Sequence, residues 1–182
     1  MGVDRRRSRR PGRLGARLAR VVIPQPVAAL AAGPIDAELR LVAVAPSESE
    51  RLYVWHREAM KPAIAALEGW DEALRFADFE QLSRRVPSYV IQADGRDCGY
   101  LQVLPRADVL HVVNVAFGPA SRGAGHGARL FDWLRGAARR RRCGLHLKTY
   151  RSNPRALAFY QREGFVIRCI DARHWWLDWS RQ

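Results

Sequence analysis

Lysine is nearly absent: of 31 basic residues only Lys61 and Lys148 are lysine, a bias that fits genome composition better than arginine-specific recognition. Cysteine is scarce too. Cys98, Cys143 and Cys169 are odd in number, widely spaced and form no C-x-x-C pair. That excludes a disulfide framework and a zinc site and fits a reducing, cytoplasmic setting, with no metal expected. No run of 18 apolar residues occurs, so nothing is expected to span a membrane. Ser8-Arg9-Arg10 faintly suggests a twin-arginine export signal, but Arg17, Arg20, Pro24 and Pro26 break the segment that would be its apolar region.

What the chain does have is enough to fold. Its 182 residues suit one domain with a sizeable core, and the 48% apolar fraction and six tryptophans agree. The net charge of +13 is uneven: residues 1–35 hold eight arginines against Asp4, or +7, leaving +6 for residues 36–182. Residues 1–35 read as a basic arm too poor in large apolar groups to fold alone. It is a disordered extension, a tail attracting nucleic acid, or an upstream misassigned start.

The organising stretch is Leu110 to Gly127, L-H-V-V-N-V-A-F-G-P-A-S-R-G-A-G-H-G. It reads as a buried strand from Leu110 to Phe117, a Gly-Pro break, and a loop with glycines at 123, 125 and 127. A helix follows, with Leu130, Phe131, Leu134 and Ala138 at helical spacing. A strand feeding a glycine loop into a helix N-terminus holds an anion, because unpaired N–H groups and the helix dipole face it. A pyrophosphate is the natural candidate. A Walker loop needs Gly-Lys-Ser/Thr, whereas Gly127 precedes Ala128-Arg129. A dinucleotide fingerprint needs an acid about 20 residues on, and Leu145-His146-Leu147-Lys148 offers none.

Arg122-Gly123-Ala124-Gly125-His126-Gly127 fits the Q/R-x-x-G-x-G/A loop of the GNAT superfamily of N-acetyltransferases. Asn153-Pro154-Arg155-Ala156-Leu157-Ala158-Phe159-Tyr160-Gln161-Arg162-Glu163-Gly164-Phe165 resembles the N-P-x-A-x-x-x-Y-x-x-x-G-F segment of the same family, one helix and one strand downstream. Asn153 also makes a good helix N-cap, Pro154 a first helical residue and Gly164 a left-handed C-cap.

In chain order, Leu39 to Ala43 alternates as a first strand. Ser47-Glu48-Ser49-Glu50 opens a helix through Leu52, Trp55, His56 and Met60 towards Pro62. Gly69-Trp70-Asp71-Glu72, with Asp71 as cap, begins a second helix carrying Leu74, Phe76, Phe79 and Leu82. This tetrapeptide resembles one branch of the family. Ser88 to Ala93 and Gly99 to Leu104 form a hairpin around Asp94-Gly95-Arg96-Asp97. Arg139 to Arg142 complement the dipole at the end of the third helix, or grip an acidic partner. Leu145, Leu147 and Thr149 make a further strand, and Phe165 to Ile170 with His174 to Trp179 a closing hairpin. The expectation is an α/β fold of the GNAT acyltransferase type, a mixed sheet of about seven strands with about four helices over residues 36–182.

The resemblance implies acetyl-CoA, or another acyl-CoA, and direct acetyl transfer to a primary amine of a small molecule, peptide or protein. It implies that the strand before the loop splays from its neighbour, with Val115 and Phe117 facing the pantetheine arm. The Phe117 N–H would then polarise the thioester carbonyl. Gly123, Ala124, Gly125, His126 and Gly127 would take the pyrophosphate, with Arg122 at the loop entrance. Asn153 would bond the cofactor's amide chain beside Ala156, and Tyr160 would stand near the sulfur as a proton donor. Trp70, Glu72 and His56 would border the acceptor. The base stays open among His111, His56, Glu72 and a water chain, since the strand has no carboxylate. The competing class is a non-catalytic binding module, sensing acyl-CoA or associating with nucleic acid through the arm. A homodimer is compatible with Trp175, Trp176 and Trp179 at an interface or in the core.

Overall fold

The computed structural model describes residues 28–180. Eight strands form one sheet: β1 (Gly33–Pro34), β2 (Leu39–Val44), β3 (Ser88–Ala93), β4 (Arg96–Pro105), β5 (Val109–Phe117), β6 (Gly144–Tyr150), β7 (Val166–Ile170) and β8 (His174–Trp179). Their order is β1-β2-β3-β4-β5-β6-β8-β7, antiparallel except for the β5–β6 pair. The four helices are α1 (Ser49–Glu68), α2 (Glu72–Ser83), α3 (His126–Arg141) and α4 (Pro154–Arg162). The expected strands and helices are all present, and the eighth strand is the two-residue β1.

That strand redraws the N-terminal boundary expected at residue 35. Gly33 and Pro34 pair with Leu41 and Arg40, Leu30 is buried, and the Tyr89 hydroxyl donates to the Leu30 carbonyl at 2.8 Å. Arg141 bonds the Ala28 and Ala29 carbonyls. Gly33 and Pro34 therefore join the sheet, and Leu30 ties the segment before them to the core. Residues 1–27 of the expected arm lie outside the described residues.

The helix starting near Ser49 does not stop at Pro62 but runs through it to Glu68. Asp71 caps α2 by accepting from Leu74 N at 3.0 Å, and of the helix's apolar residues Phe79 is buried while Leu74 is exposed. Asp94 and Gly95 both take positive φ, 50° and 74°, as a two-residue hairpin turn requires.

Two apolar clusters lie on opposite faces of the sheet. The larger joins Leu130, Phe131 and Leu134 of α3 to Leu110, Val112, Leu145 and Leu147. The smaller joins Leu52 and Tyr53 of α1 and Phe79 of α2 to Val90, Tyr100 and Ala116. Strand β5 serves both clusters, and a bulge decides which of its residues face which. Gln102 pairs with Asn114 but Val103 with Val112, so Val113 is the extra residue. One inserted residue swaps the faces of everything beyond it. Leu110 and Val112 face α3 before the bulge; Val115 and Phe117 pack on that cluster after it, while Ala116 points to α1.

Candidate active site

The sheet opens at its centre. Parallel pairing of β5 and β6 runs only from Val109↔Gly144 to Val112↔Leu147. Beyond it β6 continues, paired with β8 alone, and β5 with β4 alone. The bulge sits where the ladder ends, so the divergence has a local cause. A buried polar chain anchors it: Asn114 Nδ2 donates to Gln102 Oε1 at 2.8 Å, and Gln102 Nε2 donates to Ser83 and Ser88 Oγ. Gln102 is fully buried and satisfied, which keeps a costly polar group in place.

The edge of β5 facing the opening carries free peptide groups. Gly118 N–H donates to the Cys98 carbonyl at 2.9 Å, towards β4. Alternation along a strand then turns the Val115 and Phe117 N–H groups the other way, into the gap. The Phe117 carbonyl on that edge accepts from Arg122 Nε at 2.9 Å. Arg122, expected at the loop entrance, thus ties the loop back to the strand end.

Below the opening lies the glycine loop. Gly123 and Gly125 have φ of 82° and 80°, and a Cβ at either would meet nothing of the protein within 4 Å. The loop therefore presents bare backbone outward. Gly125 is the N-cap of α3 with no side-chain cap, and no acidic residue occupies the first turn. His126 Nδ1 is buried without a partner, its ring 6.0 Å from Phe117. At Gly127 a Cβ would come within 3.1 Å of the Phe159 ring, so this glycine serves packing of α3 on α4. Open glycines, uncapped helix N–H groups and an orphaned imidazole nitrogen fit a pyrophosphate in this cradle.

On α4, the Asn153 side-chain oxygen accepts from Ala156 N at 3.1 Å, so the cap role uses the oxygen and leaves the –NH2 end for a ligand. Tyr160 packs against Phe131, Phe159 and Phe165. Burial pushes its phenol up to about 12, so it is protonated at neutral pH. Its proximity is also felt by Tyr100 across the sheet, whose phenol is raised first by complete burial and then by Tyr160.

The proposed bases separate. His56 of α1 is largely buried among Tyr53, Phe79 and Tyr100, and its Nδ1 lies 2.8 Å from the Tyr100 hydroxyl. Burial, helped by Arg75, lowers it to about 4. His111 lies on the paired half of β5, opposite His146 and before the divergence. Burial, then His146, Lys148 and Arg106, lower it to about 4, and its Nε2 is buried without a partner. Glu72 is held at the exposed start of α2, accepting from Trp70 Nε1 at 2.9 Å and lying 3.8 Å from Arg57.

Sequence reasoning missed the polar groups of β6, β8 and the turn before β8. His146 Nδ1 lies 2.5 Å from Asp178, and His174 Nδ1 3.3 Å from Asp171. Only i, i+2 alternation hinted that His146, Lys148 and Tyr150 share one face, and their β8 partners lie about 30 residues away.

The sequence matches the acetyltransferase (GNAT) family over residues 49–165, more than half of its length. The chain belongs to this family. Among solved structures, PaiA N-acetyltransferase from Thermoplasma acidophilum in complex with coenzyme A aligns with a TM-score of 0.65 at 14% identity, covering 79% of this chain and 99% of that one. An acetyltransferase from Thermus thermophilus aligns at 0.61 with 21% identity over 78% and 96%. Campylobacter jejuni N-acetyltransferase PseH in complex with acetyl coenzyme A aligns at 0.56 with 14% identity over 79% and 99%. No curated protein matches the chain in sequence. Among the described residues no helix is long and apolar enough to cross a membrane, and no cluster of His, Cys, Asp or Glu is arranged to hold a metal.

Proposed function

We propose that this protein is an acetyl-CoA-dependent N-acetyltransferase that acts on a primary amine of a small molecule or peptide. The observation that carries the reading is the divergence of β5 from β6 directly above the uncapped N-terminus of α3. Acetyl-CoA, whose relatives' complexes were solved with it or with coenzyme A, supplies an activated acetyl thioester. The loop from Gly123 to Gly127, with Ala124 and His126 between its glycines, holds the pyrophosphate; Val115 and Phe117 line the arm.

Each protein group then has a task. Phe117 N–H, fixed by the strand and aimed into the gap, donates to the carbonyl oxygen as negative charge develops there. Tyr160, kept protonated by burial, donates to the departing sulfur. An alkylammonium must shed its proton before it attacks. Burial keeps His56 and His111 neutral at pH 7 but makes both weak bases, so a water chain to solvent carries that proton away, and Glu72 and Trp70 border the acceptor entrance. Unpaired Cys98, Cys143 and Cys169 support a cytoplasmic setting.

Amine-dependent release of CoA thiol from acetyl-CoA, measured across a panel of primary amines, tests the reading. Release that depends on both amine and intact loop supports it. Tight CoA binding with no amine-dependent release would make the protein an acyl-CoA sensor.

A further inference from the structure

The face of the sheet towards α1 and α2 continues past the divergence as an open floor. On β6, Leu147 and Thr149 are buried in the opposite face, which leaves His146, Lys148 and Tyr150 on this one. Their β8 partners are Asp178, Trp176 and His174. The rings form a continuous row: His111–His146 at 5.1 Å, His146–Trp176 at 5.6 Å, Trp176–His174 at 6.0 Å and His174–Tyr150 at 4.6 Å. The end of α1 closes one side, where Ser152 Oγ donates to the Ala63 carbonyl and Glu68 pairs with Arg173 of the β7–β8 turn.

Three carboxylates border this floor, and each is committed. Asp178 is taken by His146 and, at 3.8 Å, by Arg168. Asp171 accepts from the backbone N–H of Arg173 and His174 and from Trp176 Nε1 at 2.6 Å. Glu68 pairs with Arg75 at 2.9 Å and with Arg173. Lys148 is different. It forms no ion pair among the described residues, and its ammonium lies 5.2 Å over the Trp176 ring, along the floor. It is the first residue of β6 beyond the last rung of the ladder with β5, Val112↔Leu147. Its charge therefore stands at the mouth of the opening on the acceptor side.

A lone ammonium at that place attracts an anion and repels a second ammonium. Its field reaches the neighbouring groups: His111 and His174 are each held below the usual imidazole range by burial first, with Lys148 adding to the effect. The same field holds a bound acceptor amine in its neutral, attacking form. A polyamine would meet it with like charge and no free carboxylate.

We propose that Lys148 is the counter-ion for a carboxylate on the acceptor, and that the acceptor class is carboxylate-bearing primary amines such as α-amino acids. The proposal rests on the acetyl-transfer reading above. Trp176 gives the acceptor's apolar part a surface, and Lys148 sets which end points away from the thioester.

The test uses matched pairs: each of several α-amino acids and its primary amide, with spermidine as the cationic comparison, assayed with the full-length protein. The carboxylate member should exceed its amide at least tenfold in kcat/KM. Lys148→Gln should collapse that ratio to near one, chiefly through KM; Lys148→Arg should keep it, and Lys148→Glu should invert it towards amides and spermidine. Lys148 is exposed, and unchanged acetyl-CoA affinity by calorimetry verifies that the variants are folded. A preference for amides or spermidine, or one that survives Lys148→Gln, overturns the proposal. So does intact acetyl-CoA binding with no turnover of any member. Failure to bind acetyl-CoA defeats the acetyl-transfer reading instead.

Discussion

His56 Nδ1 and the Tyr100 hydroxyl meet at 2.8 Å between α1 and β4, with the Phe79 ring 4.6 Å from the imidazole and 5.8 Å from the phenol. This pair and the Phe79 ring join α1 and α2 to the sheet beside its divergence. Because burial dominates, the pair is neutral, and its cost appears only when acid forces a proton onto the imidazole.

That gives a pH dependence with a definite sign. The His56 pKa falls from 6.5 to about 4 on folding, so the unfolded chain binds more protons between those values. Its contribution is fully present above pH 6.5, declines as pH falls, and is exhausted below about 4. Linkage puts the loss near 2 kcal/mol between pH 7.5 and 5. His111, lowered to about 4 as well, adds a similar loss over the same window, so urea unfolding of the parent should show both and His56→Gln should remove about half of the slope. An unchanged slope would place the imidazole in contact with water.

The cofactor cradle makes a second prediction. Gly125→Asp puts a side chain at φ of 80° and a negative charge beside the uncapped helix. CoA affinity should fall at least tenfold, about 1.4 kcal/mol, with folding retained. An unchanged calorimetric titration would mean that the loop holds no phosphate.

Tyr160→Phe keeps the ring that packs on Phe131 and Phe165 and removes only the hydroxyl. General acid catalysis is typically worth about 10²–10⁴-fold. Turnover should drop by at least about a hundredfold with acetyl-CoA binding within a few-fold, and the deficit should shrink for a thioester with a more acidic thiol. Parental turnover with chemistry rate-limiting would make the tyrosine structural.

The N-terminal boundary can be tested by truncation. Removing residues 1–27 should leave the cooperative melt and CoA affinity intact, whereas removing 1–35 takes away Leu30 and the β1 ladder. Leu30→Ala alone should cost about 2–3 kcal/mol, as for a buried leucine. Equal stability of the two truncations would detach that segment from the fold.

How far the sequence carried the fold follows from locality. The Asn153 cap, the Gly164 turn, the Asp94-Gly95 hairpin and the glycine loop are short-range signals, and they stand where expected. Pro62 and Leu30 misled because tertiary packing overrode local preference: α1 accepts a proline, and one leucine finds the core. The bulge at Val113 was not legible, since apolar residues serve both faces of this strand and so do not mark a face swap. The floor of His146, Lys148, His174 and Trp176 is assembled by β6–β8 pairing, which no window along the chain contains.

The central claim is direct acetyl transfer to an amine. The most direct measurement follows an isotope-labelled acetyl group from acetyl-CoA by mass spectrometry, with CoA release recorded alongside. The account predicts label in an amide on the acceptor, one for each CoA released. Label recovered as free acetate, or left on intact acetyl-CoA held by the protein, would contradict it.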